Sequence, residues 1–229
     1  MLLTFGIKTA SMRILSLLFC FLTFVSNAQE QKPFSGKLVY SIQIQDTSLR
    51  KMIPIKHMLI FTNDTLIRIE NETEQLGIQV MIKHLVLNKS YLLLQTPTGK
   101  YAIQTDHGAS KIDTFPYSFK KKWGKALICG KKANKLVVKN KNFPNDLVFY
   151  YYKNTSVKYL NSHSNFPGLL VKYYLPSADG IYEYTLIEQE ELVPPKDAFG
   201  IPSDFKKVSF DEFMNEILKK QTETPIKLE

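Results

Sequence analysis

The sequence lacks most of the residues by which small catalytic or disulfide-built domains are recognised. It holds 2 cysteines in 229 residues, 4 histidines, 1 tryptophan and 10 scattered glycines. Cys20 lies in an N-terminal apolar run, which leaves Cys129 for the rest of the chain. A single thiol closes no intramolecular disulfide, so packing alone must hold the fold. Cys129, beside Leu127 and Ile128, reads as a small buried hydrophobe. A catalytic thiol would want a nearby histidine or a cationic setting; lysines are nearby, but no histidine lies within twenty residues in sequence. His57, His84, His107 and His163 form no HExxH pair and no short metal-ligand spacing. The glycines build neither a phosphate-cradling loop nor a dinucleotide fingerprint, and no G-x-S-x-G elbow is present. The expectation is therefore a non-enzyme with no catalytic residue, no cofactor and no metal. After the first 28 residues no run approaches the ~20 apolar residues that a spanning helix needs.

What is present begins with an export pattern. Arg13 precedes an apolar run from Ile14 to Val25, and Ser26-Asn27-Ala28 offers small residues for cleavage. This three-part arrangement predicts a signal peptide over 1–28, so the chain is expected in the periplasm or cell envelope, or secreted. Loss of Lys8 and Arg13 would leave 28 basic against 21 acidic residues, a net of +7.

The remainder predicts one β domain over 29–220 and a flexible tail over 221–229. Tyr40, Ile42 and Ile44 alternate with Ser41, Gln43 and Gln45, the period of a half-buried strand. Short strand patterns follow at 57–62 and 65–70, which form a hairpin around Asn63-Asp64, and at 78–87, 90–95 and 100–104. They continue at 126–129, 135–139, 146–152, 156–160, 169–175 and 181–190. This spacing predicts a curved, half-barrel-like antiparallel sheet rather than βαβ units. One C-terminal helix is expected to pack on it. Ser209 and Glu212 have capping-box spacing, and Phe210, Phe213, Met214, Ile217 and Leu218 fall on one helical face.

Two charged features stand out. Glu188 and Glu190 share one side of a strand and read as a solvated strand end. Between Lys120 and Lys141 there are nine lysines and no acid. Lys120, Lys121, Lys122, Lys125, Lys131 and Lys132 are the candidates for contact with an anionic surface. The same lysines would equally make a solvent-facing hairpin that protects a sheet edge. Nucleic acid is not an expected partner: the run has no arginine for base reading, and an exported protein seldom meets nucleic acid.

The stretch Asn165-Phe166-Pro167-Gly168-Leu169-Leu170 joins two strand patterns. Locally, Pro167 and Gly168 suit a type II turn with a positive φ at the glycine. The stretch also resembles the Gly-Leu-Pro-Gly-Leu-Ile signature of the GLPGLI family of exported Bacteroidetes proteins. Asn165 and Phe166 replace its Gly-Leu, and Leu170 replaces its Ile. Two further segments support the resemblance. Gly36-Lys37-Leu38-Val39-Tyr40 looks like that family's opening strand. Phe199-Gly200-Ile201-Pro202-Ser203-Asp204-Phe205 looks like the ending of exported domains similar to lipoprotein-localisation factors. The resemblance implies an envelope location and a half-barrel-like sheet, with Pro167 and Gly168 as a structural marker. It carries no catalytic residues.

Two functions follow as expectations. One is an apolar or amphipathic ligand, such as a lipid, held on the concave sheet face by rings such as Phe149 to Tyr152 and Tyr173-Tyr174. The other is an interaction protein that docks an outer-membrane or envelope partner through a sheet edge or the 120–141 segment.

Overall fold

Alternation builds the sheet. In β1 (Ser35–Ile44) Gly36, Leu38, Tyr40 and Ile44 are buried while Lys37 and Gln43 stay half-exposed. The computed structural model describes residues 31–73, 77–97, 99–105, 117–160 and 165–223. The predicted signal segment lies outside them. Antiparallel strands follow in order: β2 (Lys56–Asn63), β3 (Leu66–Thr73), β4 (Gly77–His84), β5 (Lys89–Thr96) and β6 (Gly99–Gln104). The second run is β7 (Ser118–Ile128), β8 (Lys131–Lys139), β9 (Leu147–Tyr152), β10 (Leu169–Ser177) and β11 (Gly180–Glu191). A short β12 (Lys206–Ser209) leads into helix α1 (Phe210–Glu223).

The strands form one open sheet in the order β12-β6-β5-β4-β3-β2-β1-β11-β10-β9-β8-β7, not closed into a barrel. The pairing of β11 with β1 places the chain's first and eleventh strands at its centre. Every neighbouring pair is antiparallel except β12 with β6, which is parallel. The expected fold class, a mainly β curved sheet with one C-terminal helix, is what is found.

The largest apolar cluster draws on β1, β2, β3, β8, β9 and β10. Its centre is aromatic. Tyr40 meets Tyr173 edge-on at 5.9 Å, Tyr173 stacks on Tyr184 at 4.8 Å, and Phe149 stacks on Phe166 at 5.8 Å. The rings of Phe149, Tyr151, Tyr152, Tyr173 and Tyr174 are all buried. They pack in the core, and Tyr152 also borders a cleft described below. Farther along the sheet, alternation separates two small clusters. Leu93 and Ala102 pack with Ile201 and Phe205. Leu94, Tyr101 and Ile103 pack with Val208 and Phe213. Neighbouring residues of a strand point to opposite faces, so the 199–205 ending covers one face and α1 the other.

The capping box at α1 is present: the Ser209 N–H donates to Glu212 Oε2 at 2.7 Å, and the Glu212 N–H to Ser209 Oγ at 3.2 Å. The expected apolar face is narrower than predicted. Phe213 packs on Tyr101 at 5.2 Å, but Phe210 and Met214 are exposed. A helix that follows a four-residue edge strand reaches the sheet with only part of its stripe. The helix runs to Glu223, into the stretch expected as tail, and 224–229 lie outside the described residues.

Three strand expectations change. Residues 156–160 form a one-turn helix, Val157–Tyr159, because Ser156 Oγ accepts from the Lys158 N–H at 3.2 Å. β7 begins eight residues before the predicted 126. Cys129 is not in a strand but in the β7–β8 turn, half-buried, with φ of 45° beside Gly130 at 73°. Two successive positive φ values make the tight turn whose twist suits a hairpin.

The NFPGLL stretch also differs from expectation. Gly168 has no positive φ, so the glycine is not there to permit a type II turn. It is there for close approach: a Cβ would lie 2.2 Å from the Tyr152 carbonyl oxygen. Gly36, at the start of the opening motif, is alike, since a Cβ would lie 2.0 Å from the Glu190 carbonyl oxygen. The two motifs touch. The buried Tyr40 hydroxyl donates to the Leu170 carbonyl at 2.8 Å, so the tyrosine of one segment is tied to the last residue of the other.

Candidate functional site: the lysine ribbon and its cleft

β7 is the outermost strand on one side of the sheet, and it is long. Its 11 residues are mostly exposed because nothing described pairs with its outer edge. Phe119 and Ile128 reach the core near its two ends. Between them the ladder with β8 shifts from Lys122↔Lys135 to Lys125↔Asn134, leaving Trp123 and Gly124 as a bulge. Gly124 has φ of 109°, which a glycine adopts without strain. Trp123 is fully exposed, at 101% of its reference surface. Lysines and a bulge discourage an edge from pairing with copies of itself, which carry the same charge.

The register distributes the six candidate lysines over two faces. Residues opposite one another in an antiparallel ladder share a face. Lys121 pairs with Leu136, Lys125 with Asn134, and Leu127 with Lys132. Those positions of β8 are two apart, so Lys121, Lys125 and Lys132 share one face of the ribbon. Lys120 and Lys122, opposite Val137 and Lys135, share the other with Lys131. The sequence run is one block of charge, whereas the fold makes it two.

Lys125, Lys131 and Lys132 do a second thing. They line a cleft of about 560 Å³ together with Lys32 and Lys153. The segment before β1 crosses beneath it, where the Lys32 N–H donates to the Asn154 carbonyl at 3.0 Å. The Leu169 N–H donates to the Thr155 carbonyl at 2.8 Å, and the Phe34 N–H to the Tyr159 hydroxyl at 2.8 Å. Tyr159 in turn donates to Asp64, in the β2–β3 turn. Asn134, Asn154, Thr155, Gln189 and Glu191 complete the polar wall, and Phe34 and Tyr152 its apolar part. Burial pushes the Tyr152 phenol up to about 12, and its hydroxyl donates to the Ile128 carbonyl beside the ribbon turn. No local sequence pattern joins Lys32 to Lys153. They are 121 residues apart and meet only through the bridge between Lys32 and Thr155.

The remaining candidates behave as structure. Lys37 sits between Glu188 at 2.6 Å and Glu190 at 3.4 Å, so the acidic strand end is a solvated ion-pair cluster. Burial would raise the Glu183 carboxyl. The Lys172 ammonium at 2.9 Å and the Tyr174 hydroxyl at 2.9 Å outweigh it and hold the group below its ordinary value. His84 Nδ1 accepts from the Leu87 N–H at 3.2 Å. His107 and His163 lie outside the described residues. Among the described residues no group of three or more His, Cys, Asp or Glu could hold a metal ion. A small apolar pocket of about 290 Å³ lies at the other half of the sheet, between Leu66, Ile82, Leu87, Tyr91, Phe199 and Ile201. No described helix is long and apolar enough to cross a membrane.

No family model and no curated protein matches the chain. Among solved structures it is similar to PNGF-II in its C2 crystal form. The TM-score is 0.50 and the identity 14%, over 81% of this chain and 33% of that one. It is also similar to MucB in complex with MucA(peri), with a TM-score of 0.40 and 12% identity, over 82% of this chain and 60% of that one. The chain thus spans about a third of the length of PNGF-II. At such identity the likeness to PNGF-II is one of fold alone, and the weaker likeness to MucB carries no argument.

Proposed function

We propose that this chain is a non-enzymatic, exported envelope protein of the GLPGLI kind that docks an envelope partner along the β7 edge. The partner segment is extended and acidic. One observation carries the reading: a fully exposed tryptophan stands among Lys120, Lys121 and Lys122 on an open edge strand. An extended peptide can add to such an edge by main-chain hydrogen bonds, and side chains then set the choice of partner. None of these three lysines has a carboxylate within ion-pair distance among the described residues, which favours an acidic partner. The other edge, β12, is four residues long and leads directly into α1, so it offers much less.

The test removes charge without touching the cleft. K120Q/K121Q/K122Q is expected to shift the protein from the sedimenting envelope fraction to the soluble one at low salt. Unchanged retention would sink the proposal. A second reading, an apolar ligand, rests on the pocket between Tyr91 and Phe199. Uptake of a fluorescent fatty-acid probe, reduced by filling that pocket with L87W, is the outcome that favours it.

A further inference from the structure

We infer that the cleft framed by Lys32, Lys125, Lys131, Lys132 and Lys153 is a binding site for a phosphorylated sugar. The inference does not depend on the docking proposal, because Lys120, Lys121 and Lys122 do not line the cleft.

Charge is the first argument. Lys37, Lys100, Lys139, Lys158 and Lys172 each have a carboxylate within 3.5 Å, as does Arg68. The five cleft lysines have none among the described residues, and Glu191 is the one acid on the wall. Like charges gathered in a concavity repel one another, and its low-dielectric walls focus the field onto whatever enters. An anion with two or more charges relieves that repulsion.

The chemistry of the donors is the second argument. All the cations are lysines. An ammonium is a compact point charge that meets a phosphate from any side, with no planar fork geometry to satisfy. Around the lysines stand three amides, a threonine hydroxyl and a carboxylate: Asn134, Asn154, Gln189, Thr155 and Glu191. Such groups donate to and accept from sugar hydroxyls. The volume of about 560 Å³ lies within the range of small-molecule sites. The walls are fixed in advance by the main-chain bonds at Lys32 and Thr155, which lowers the ordering cost of binding.

The phosphorylated sugar could be free or the headgroup of a lipid. Isothermal titration would measure binding of glucose 1,6-bisphosphate, with glucose as control. Co-sedimentation would measure binding to phosphatidylcholine vesicles doped with phosphatidylinositol 4-phosphate. Binding to the bisphosphate, weakened about tenfold or more by K32Q/K153Q, is the expected result for a free sugar phosphate. Taking one ammonium away from a bound phosphate weakens binding by roughly tenfold or more, and the variant removes two. Binding to the doped vesicles alone, abolished in the same variant, assigns the headgroup. Both variant positions are exposed, so circular dichroism is expected to show an unchanged fold. K120Q/K121Q/K122Q is expected to bind either probe as the wild type does. The inference is overturned if neither probe binds, or if K32Q/K153Q binds as tightly as wild type. It is also overturned if the ribbon variant, rather than the cleft variant, loses binding.

Discussion

At Gly168 a single missing Cβ decides how closely two strands approach. The Tyr152 carbonyl oxygen occupies the space that a side chain would need. G168A is therefore expected to lower stability by about 1–3 kcal/mol, the usual cost of forcing a methyl into a packed core. The denaturant midpoint measures it, and an unchanged midpoint would contradict the close-approach account. Phe166, the residue before Pro167, is buried and stacks at 5.0 Å on Phe119 as well as on Phe149. Tyr40 binds Leu170. The stretch is a plug in the aromatic core. The sequence showed a Pro-Gly pair between two strands, but a turn by glycine flexibility and a turn by glycine smallness look the same in one dimension. Only the neighbour across space separates them.

Among the elements, legibility followed burial. β1, β2, β5, β6, β10 and β11 each bury side chains on the core, and their apolar residues marked them in the sequence. β7 was hidden over Ser118–Lys125 because an edge strand that faces water needs no apolar face, so lysines replaced the period. β12 escaped notice for its length. The helix was visible through its cap, and the cap bears a test. Ser209 satisfies the Glu212 N–H, so S209A is expected to cost about 1 kcal/mol, within the range for such caps. Thermal unfolding checks it, and no loss of stability would argue that the neighbouring β12–β6 pairing alone fixes the helix start. The same logic explains the candidate site. The lysine run was legible as composition. Its division over two faces depends on register, and the cleft depends on a contact between residues 32 and 155 that no local pattern announces.

For the molecule as a whole, the core is built from tyrosines whose hydroxyls stay neutral. Burial pushes Tyr117 and Tyr152 up to about 12, and pushes Tyr40 and Tyr173 well above the ordinary value. A phenol raised in this way favours the folded state in its neutral form. That contribution is whole below about 10, where an exposed tyrosine titrates, and is lost as pH rises through the raised values. Stability is expected to hold up to about pH 10 and to fall steeply toward about pH 12. Circular dichroism melts across that window check it, and a flat profile would contradict the buried, neutral tyrosines.

The ribbon, the edge and the exposed ring meet in one place, and the chain carries a single reporter there. Trp123 is the only tryptophan, so a protein labelled with fluorotryptophan gives one fluorine resonance from the β7 bulge. Titration with solubilised envelope is expected to shift or broaden that resonance in the wild type. High salt is expected to reverse the change, and K120Q/K121Q/K122Q to abolish it. A resonance that stays fixed while the protein still sediments with the envelope would place the contact elsewhere and contradict the account.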